Sequence, residues 1–306
     1  MKGGPKAGML EFYLEGVGSG SLCLSHPEQF SLVCGQDSPA DSLKAVFCLQ
    51  QEPEQLCVVR VTDGEEELFS GQVDSQEMVR DGKGSRLELT ARSRGALLLD
   101  NEACPREYFG ATLGQVFADY LYPLGFVDRV GQNGYLDQYT VARGSSRWEA
   151  FAGLCALLTG REPWVWKGRQ VVLKSPEAKA GGIPAGQVVS RRHSWDRYRP
   201  LSRVYVRNED GLYYTWEDSA AAQSGKILRE RYAVPAPQWA RQPEADARRR
   251  LEESWQGQES WEWVISGLRP IRPGDQVLLE DERWGEVREA ELRFGSGGAF
   301  TRVVLW

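Results

Sequence analysis

From Leu10 to Arg94 the chain is a succession of short runs in which apolar and polar residues alternate, each ended by Gly, Pro, Asp or Ser. The runs are Met9 to Leu14, Phe30 to Val33, Leu43 to Leu49, Leu56 to Thr62, Leu68 to Val79 and Arg86 to Ser93. A period of two is the signature of a strand buried on one face, and turns this frequent leave no room for ordinary helices between the runs. The spacing therefore predicts a β-barrel or sandwich. The last two runs form the clearest hairpin, because Asp81-Gly82-Lys83-Gly84 supplies the positive-φ positions of a tight connection. Alternation sends Phe69, Val73, Leu87, Leu89 and Ala91 to the core. It leaves Gln72, Asp74, Gln76, Arg86, Glu88 and Thr90 on the opposite, polar face.

The middle third changes period. Thr112 can cap a helix to about Tyr122 with Leu113, Val116, Phe117 and Tyr120 on one stripe, stopped by Pro123 and Gly125. Ser146 and Glu149 form a capping box for a second helix carrying Trp148, Phe151, Leu154, Cys155 and Leu158 and ended by Gly160. A hairpin of Trp164 to Trp166 and Val171 to Leu173 follows, and a linker rich in Pro, Ala and Gly runs from Ser175 to Gly186. The final third returns to strands at Ser202 to Arg207, Tyr213 to Trp216, Ile227 to Ala233, Trp261 to Ile265 and Val277 to Leu279. One helix interrupts them, opened by Pro243 and burying Ala247, Leu251 and Trp255 while Arg248, Arg249, Glu252 and Glu253 stay wet. The expectation is an α+β chain, predominantly β: a β-barrel domain over 1–105, a small α/β domain over 106–178, and a second β-barrel domain with one helix over 179–306.

The two β domains end alike. Gly71-Gln72-Val73 opens a strand that reaches Gly82-Lys83-Gly84 and returns through Leu87 and Leu89. Gly285-Glu286-Val287 opens one with Ala290, Leu292 and Phe294 inward that reaches Gly295-Ser296-Gly297 and returns through Val303 and Leu305. Separations of 11 and 10 residues from the first glycine to the turn mark one unit used twice around an insert.

The chemistry available is thin. The chain has 306 residues, 41% of them apolar and 26% charged, ordinary values for a globular protein. No stretch approaches a transmembrane span, and the first residues lack the apolar core of a signal peptide, so synthesis and assembly are expected in the cytoplasm without membrane insertion. The six cysteines contain no CxxC pair and the two histidines are His26 and His193, which leaves no ligand set for zinc and predicts neither metal nor cofactor. Cys48 and Cys57 lie in apolar runs and read as buried, reduced thiols. There is no GxxxxGK[ST] and no GxSxG, and Gly16-Val17-Gly18-Ser19-Gly20 reads as a flexible turn. Residues 1–90 balance at -8 and the remainder at +2, which argues against nucleic acid as a bound partner.

The runs Leu68 to Val73, Leu87 to Ala103, Leu113 to Phe117 and Leu124 to Phe126, with the helix of Ala245 to Trp255 and the Arg272-Pro273-Gly274-Asp275 turn, resemble the baseplate hub proteins of contractile phage tails, phage-tail-like bacteriocins and related injection systems. The resemblance implies two tube-like barrels per chain and a homotrimer offering six barrels to a sixfold tail tube and three chains to a central spike. It further implies baseplate wedge and tape-measure proteins as neighbours, residence in a virion or bacteriocin particle, and DNA or protein as transient cargo through a lumen. The face bearing Gln72, Asp74, Gln76, Glu88 and Thr90 is the expected channel lining, wet and acidic enough to let DNA slide. No catalytic residues are expected. The alternative is a tail-associated cell-wall-degrading enzyme using a carboxylate pair such as Glu102 and Glu107. A third reading, a carbohydrate-binding module, draws on Trp261, Trp263, Trp284 and Trp306, although alternation favours a core or interface for the first two.

Overall fold

The computed structural model describes residues 10–82, 84–131, 134–175, 180–218, 228–235, 239–279 and 283–305. Met9, Lys83, Ile227 and Trp306, and residues 176–179 of the expected linker, lie outside the described residues. The chain is mostly strand. In order it forms β1 (Leu10–Gly16), β2 (Ser21–Ser25), β3 (Gln29–Gly35), β4 (Ser42–Cys48), β5 (Leu56–Asp63), β6 (Glu66–Asp81), β7 (Gly84–Ser93), α1 (Ala96–Asp100), β8 (Arg106–Ala111), α2 (Leu113–Tyr120), β9 (Val127–Asp128), β10 (Leu136–Val141) and α3 (Arg147–Thr159). It continues with β11 (Trp164–Trp166), β12 (Gln170–Val172), β13 (Ala180–Ile183), β14 (Val188–Trp195), β15 (Arg203–Arg207), β16 (Tyr213–Glu217), β17 (Glu230–Ala233), α4 (Pro243–Trp255), β18 (Glu259–Ser266), β19 (Gln276–Leu279), β20 (Arg283–Gly295) and β21 (Gly298–Leu305).

Two compact units emerge, one of residues up to 97, 164–191 and 262–305, the other of 98–163 and 192–261. Thirteen strands form one sheet in the order β14-β18-β21-β20-β3-β4-β7-β6-β5-β1-β2, with β19 joined to β20 and β13 to β19. The first seven strands curl. Phe12 on β1 meets Phe30 on β3 and Phe47 on β4 edge to face, at 5.6 and 4.9 Å between ring centroids. Yet β1 and β3 are five steps apart in strand order, roughly 24 Å across a flat sheet at 4.8 Å per step. Only a sheet rolled on itself brings them together, around the apolar core of Leu10, Phe12, Leu32, Leu43, Phe47, Val59, Val61, Leu87 and Leu89. Each run expected between Leu10 and Arg94 holds a strand among the described residues. β2 is additional, because its Ser-Leu-Cys-Leu-Ser alternation is brief and half exposed.

The segment read as a linker holds β13, which pairs parallel with β19 from Ala180 opposite Gln276 to Ile183 opposite Leu279. Four residues, two of them glycine, gave no apolar period to read. Cys48 is exposed and Cys57 half-buried, contrary to the expectation, while Cys34 and Cys155 are the buried thiols. Alternation places Cys48 and Cys57 outward between inward Phe47, Leu56 and Val59. Among the described residues all six cysteines are free.

In the second unit, both expected helix starts are made. Thr112 and Ser146 each accept from the backbone three residues on while Gln115 and Glu149 reach back, and Gly160 ends α3 in the left-handed region. β8 and β10 pair antiparallel, and β15 lies between β16 and β17. Val204 and Val206 of β15 pack on Ala247 and Leu251 of α4. Arg249 of that helix is not a wet residue: its guanidinium lies over Trp239 and bonds Asp246, which is fully buried and also holds Arg250.

Candidate functional surface

The β6–β7 hairpin is regular except at one residue. Gly71, Gln72 and Val73 lie opposite Ser93, Arg92 and Ala91, then the register slips so that Ser75, not Asp74, faces Thr90. Asp74 is the extra residue of a β-bulge. Beyond it every side chain is on the other face from the one plain alternation gives. Gln76 now lies opposite inward Leu89 and Met78 opposite Leu87. The Gln76 amide turns to the strand end, accepting from Leu56 N–H at 2.8 Å and donating to the Glu54 carbonyl at 3.2 Å. Gln76 is therefore not on the polar face, and Glu77 takes the place assigned to it.

The polar face carries Gln72, Asp74, Ser75, Glu77, Arg86, Glu88, Thr90 and Arg92. Ser75 and Thr90 hydroxyls share a hydrogen bond at 2.6 Å. Asp74 binds Arg92 at 2.8 Å and Asp81 binds Arg86 at 2.9 Å, so those acids are neutralised. Glu77 and Glu88, directly opposed, are like charges facing each other.

The second hairpin repeats the first with a constant shift of 214 residues. Gly285, Val287, Gly295 and Gly298 stand where Gly71, Val73, Asp81 and Gly84 stand, and the register of β20 slips between Val287 and Glu289 as that of β6 slips after Val73. Arg288 is thus the second bulge residue, bound to Asp37 at 2.9 Å. Gly84 and Gly298 both open the return strand at positive φ, +119° and +106°. These are the corresponding turn glycines, and each lies 13 residues from its leading glycine, in place of the unequal 11 and 10. A Cβ on Gly71 would lie 2.2 Å from the Arg92 carbonyl oxygen, so that position excludes a side chain, while one on Gly285 would press on the Leu305 side-chain methyl at 2.5 Å. Ala290 and Leu292 are buried as expected, whereas Phe294 is 37% exposed at the hairpin end.

The other candidate residues are not assembled into chemistry. Glu107 on β8 is held by the Gln138 amide and by Arg241 at 3.3 Å, the setting of a structural ion pair. Glu102 sits in an isolated bridge with Ser146. His193 stacks on Trp261 at 3.4 Å and bonds Glu259 at 2.8 Å. Trp263 is buried in the core and Trp284 is exposed, so the tryptophans named for a carbohydrate platform do not share one environment. The glycines 16, 18 and 20 lie beside the carboxylate end of Glu54, an exposed side chain free to move. Among the described residues no group of His, Cys, Asp and Glu could hold a metal, and no helix is long and apolar enough to cross a membrane.

The chain overlays on a 43 kDa tail protein of prophage MuSo2 from Shewanella oneidensis with a TM-score of 0.75 and 14% identity, covering 97% of this chain and 98% of that one. A tail protein from Neisseria meningitidis MC58 gives 0.73 and 17%, covering 97% and 95%. The fold is that of phage tail proteins. A type VI secretion component of E. coli, described as similar in structure to bacteriophage T4 tail proteins, gives 0.58 and 11%, covering 96% of this chain and 75% of that one. No family model and no curated protein matches the sequence.

Proposed function

We propose that this chain is the structural baseplate hub of a contractile tail or injection particle, a homotrimeric adaptor between a sixfold tail tube and a threefold central spike. The observation that carries the reading is the duplicated hairpin, identical in register slip and turn over a 214-residue shift. A trimer of such chains offers six near-equivalent units to a sixfold partner while keeping threefold symmetry for another. The tail-protein fold over nearly the whole chain supports the same reading.

In this role the polar face of the first hairpin, with Gln72, Asp74, Glu77, Glu88 and Thr90, lines the ejection channel. The tape-measure protein and then DNA or protein cargo pass along it. Wedge proteins surround the hub, and the protein has no catalytic step of its own. The test is mass measurement by light scattering during size exclusion, with and without the spike partner, alongside a peptidoglycan-release assay. A three-chain particle that releases no peptidoglycan is expected. A stable dimer or tetramer, or release abolished by Glu107→Gln, overturns the reading.

A further inference from the structure

The duplication extends beyond the hairpins. Leu49 N–H donates to Ser85 O at 3.1 Å and Gly267 N–H donates to Ala299 O at 2.8 Å, and Ser85 and Ala299 are again 214 residues apart. β18 therefore stands to β21 as β4 stands to β7, with Gly267 in the place of Leu49 and Trp261 in that of Leu43. Leu43 lies opposite Leu32 of β3, and Trp261 stacks on His193 of β14. β14 is thus the counterpart of β3, with His193 in the place of Leu32, Arg192 in that of Ser31 and Trp195 in that of Cys34.

The two counterparts differ in what lies beyond them. β3 is covered on its far side by β20, from Glu289 opposite Gly35 to Phe294 opposite Phe30. β14 has no strand beyond it among the described residues. The stretch of β6 that corresponds to Glu289 to Phe294 is Ser75 to Arg80, and there β6 pairs only with β7, because its pairing with β5 ends at Gln72. One chain therefore holds one completed junction and the two unfilled halves of another.

We infer that β14 of one copy adds to the Ser75 to Arg80 edge of β6 in the next copy, reproducing the junction between β3 and β20. Charge supports the choice of a second copy. In the completed junction Glu291 is 5% exposed and accepts from Ser31 Oγ of β3 at 2.8 Å. Its counterpart Glu77 faces Glu88, and the residue that takes the place of Ser31 is Arg192, an exposed cation on a strand with no acid. Trp195, 63% exposed, falls where Cys34 is 8% exposed. The two edges are different surfaces, so the contact is head-to-tail, the kind that makes a ring when its rotation closes; exposed strand edges of this kind pair readily. The inference rests on the trimer proposed above and names the strands that make it.

The test is a charge swap in the full-length chain. Glu77→Arg and Arg192→Glu, each singly, are expected to weaken assembly about tenfold or more, and the double variant to restore it, read by native mass spectrometry over a concentration series. Far-UV circular dichroism checks that each variant is folded. Hydrogen exchange supplies a second readout, with backbone amides of β14 and of residues 77–80 gaining protection when copies associate. A wild-type chain that stays monomeric throughout overturns the trimer reading. A trimer that ignores both single changes and shows no protection at these edges overturns the edge pairing alone.

Discussion

Exchanging Glu88 for Arg should make the first hairpin more stable. Glu77 and Glu88 lie directly opposite on the polar face, where Cβ atoms are about 5 Å apart. With carboxylates roughly 6 Å apart in a water-like medium the repulsion is about 0.7 kcal/mol at low salt, and an attraction of the same size replaces it in Glu88→Arg. The second hairpin already has this arrangement, since Glu291 lies opposite Arg302. The expected gain is about 1 kcal/mol at low ionic strength, roughly half of that at 0.15 M and close to nothing at 1 M. Arg86 on the same face is bound by Asp81 but also feels the Glu88 charge, so the exchange gives up that attraction and the gain stays below the sum of the two changes. Urea titration of monomeric protein in 10 mM and 1 M salt measures it, with Glu88→Gln giving about half the gain. A variant no more stable than wild type at low salt, or a gain that survives 1 M salt, refutes the argument.

Two further outcomes follow from the core and the cavity beside it. Phe12→Ala removes the ring that brings β1 against β3 and β4, and should cost about 3–5 kcal/mol in denaturant titration; a loss under about 1.5 kcal/mol would mean that the sheet closes without it. Asp41 lines a cavity of about 280 Å³ with Ser93, Lys167 and Arg272. Burial pushes its carboxyl up to about 6, against the Cys34 hydrogen bond and the Arg272 charge that pull it down. The folded state therefore holds this proton more tightly than the unfolded one, so its contribution is full below pH 4 and is lost as pH rises through 6. Asp41→Asn should remove that part of the pH dependence, and stability profiles for the two proteins that run parallel from pH 4 to 7 would contradict it.

Strands whose alternation is uninterrupted were legible in the sequence, as were helices with a side-chain cap. Leu87, Leu89 and Ala91 are inward because nothing breaks the period of β7, and Thr112 and Ser146 announce α2 and α3 because their partners three residues on have the chemistry to reciprocate. Gln76 was misplaced because a bulge changes the count of residues per strand without any change of composition. Asp74 is an ordinary polar residue in an alternating run, and what makes it the extra residue is the register against Thr90. The signal that could have found it was the second copy. With the hairpins aligned on Gly84 and Gly298, Gln76 falls on Ala290 and Met78 on Leu292, both of which are inward in the repeat. Aligned on Gly82 and Gly295, the repeats lose that correspondence by one residue, which in a strand is the difference between core and solvent.

The same alignment separates what the duplication preserves from what it has let go. Both copies keep the glycine against the return strand, the bulge after valine and the positive-φ glycine at the turn, all of which set backbone geometry. The polar faces have diverged. Glu291 meets Arg302 and Arg293, and Arg302 also meets Glu262 and Glu289, so the second face is internally neutralised. Glu77 meets Glu88, so the first is not. A pair of facing acids costs stability in the isolated chain, and a fold that needs only the backbone device has no use for it. In the trimer we propose, its value would lie in what approaches the face: Arg192 of another copy along the strand edge, and a polyanion that an acidic wall does not retain. On that proposal Glu77 is taken up by the joining of copies and Glu88 is the acid left on the face, and the charge swap tells the two apart, because the Glu77→Arg, Arg192→Glu double variant restores assembly while Glu88 is unchanged.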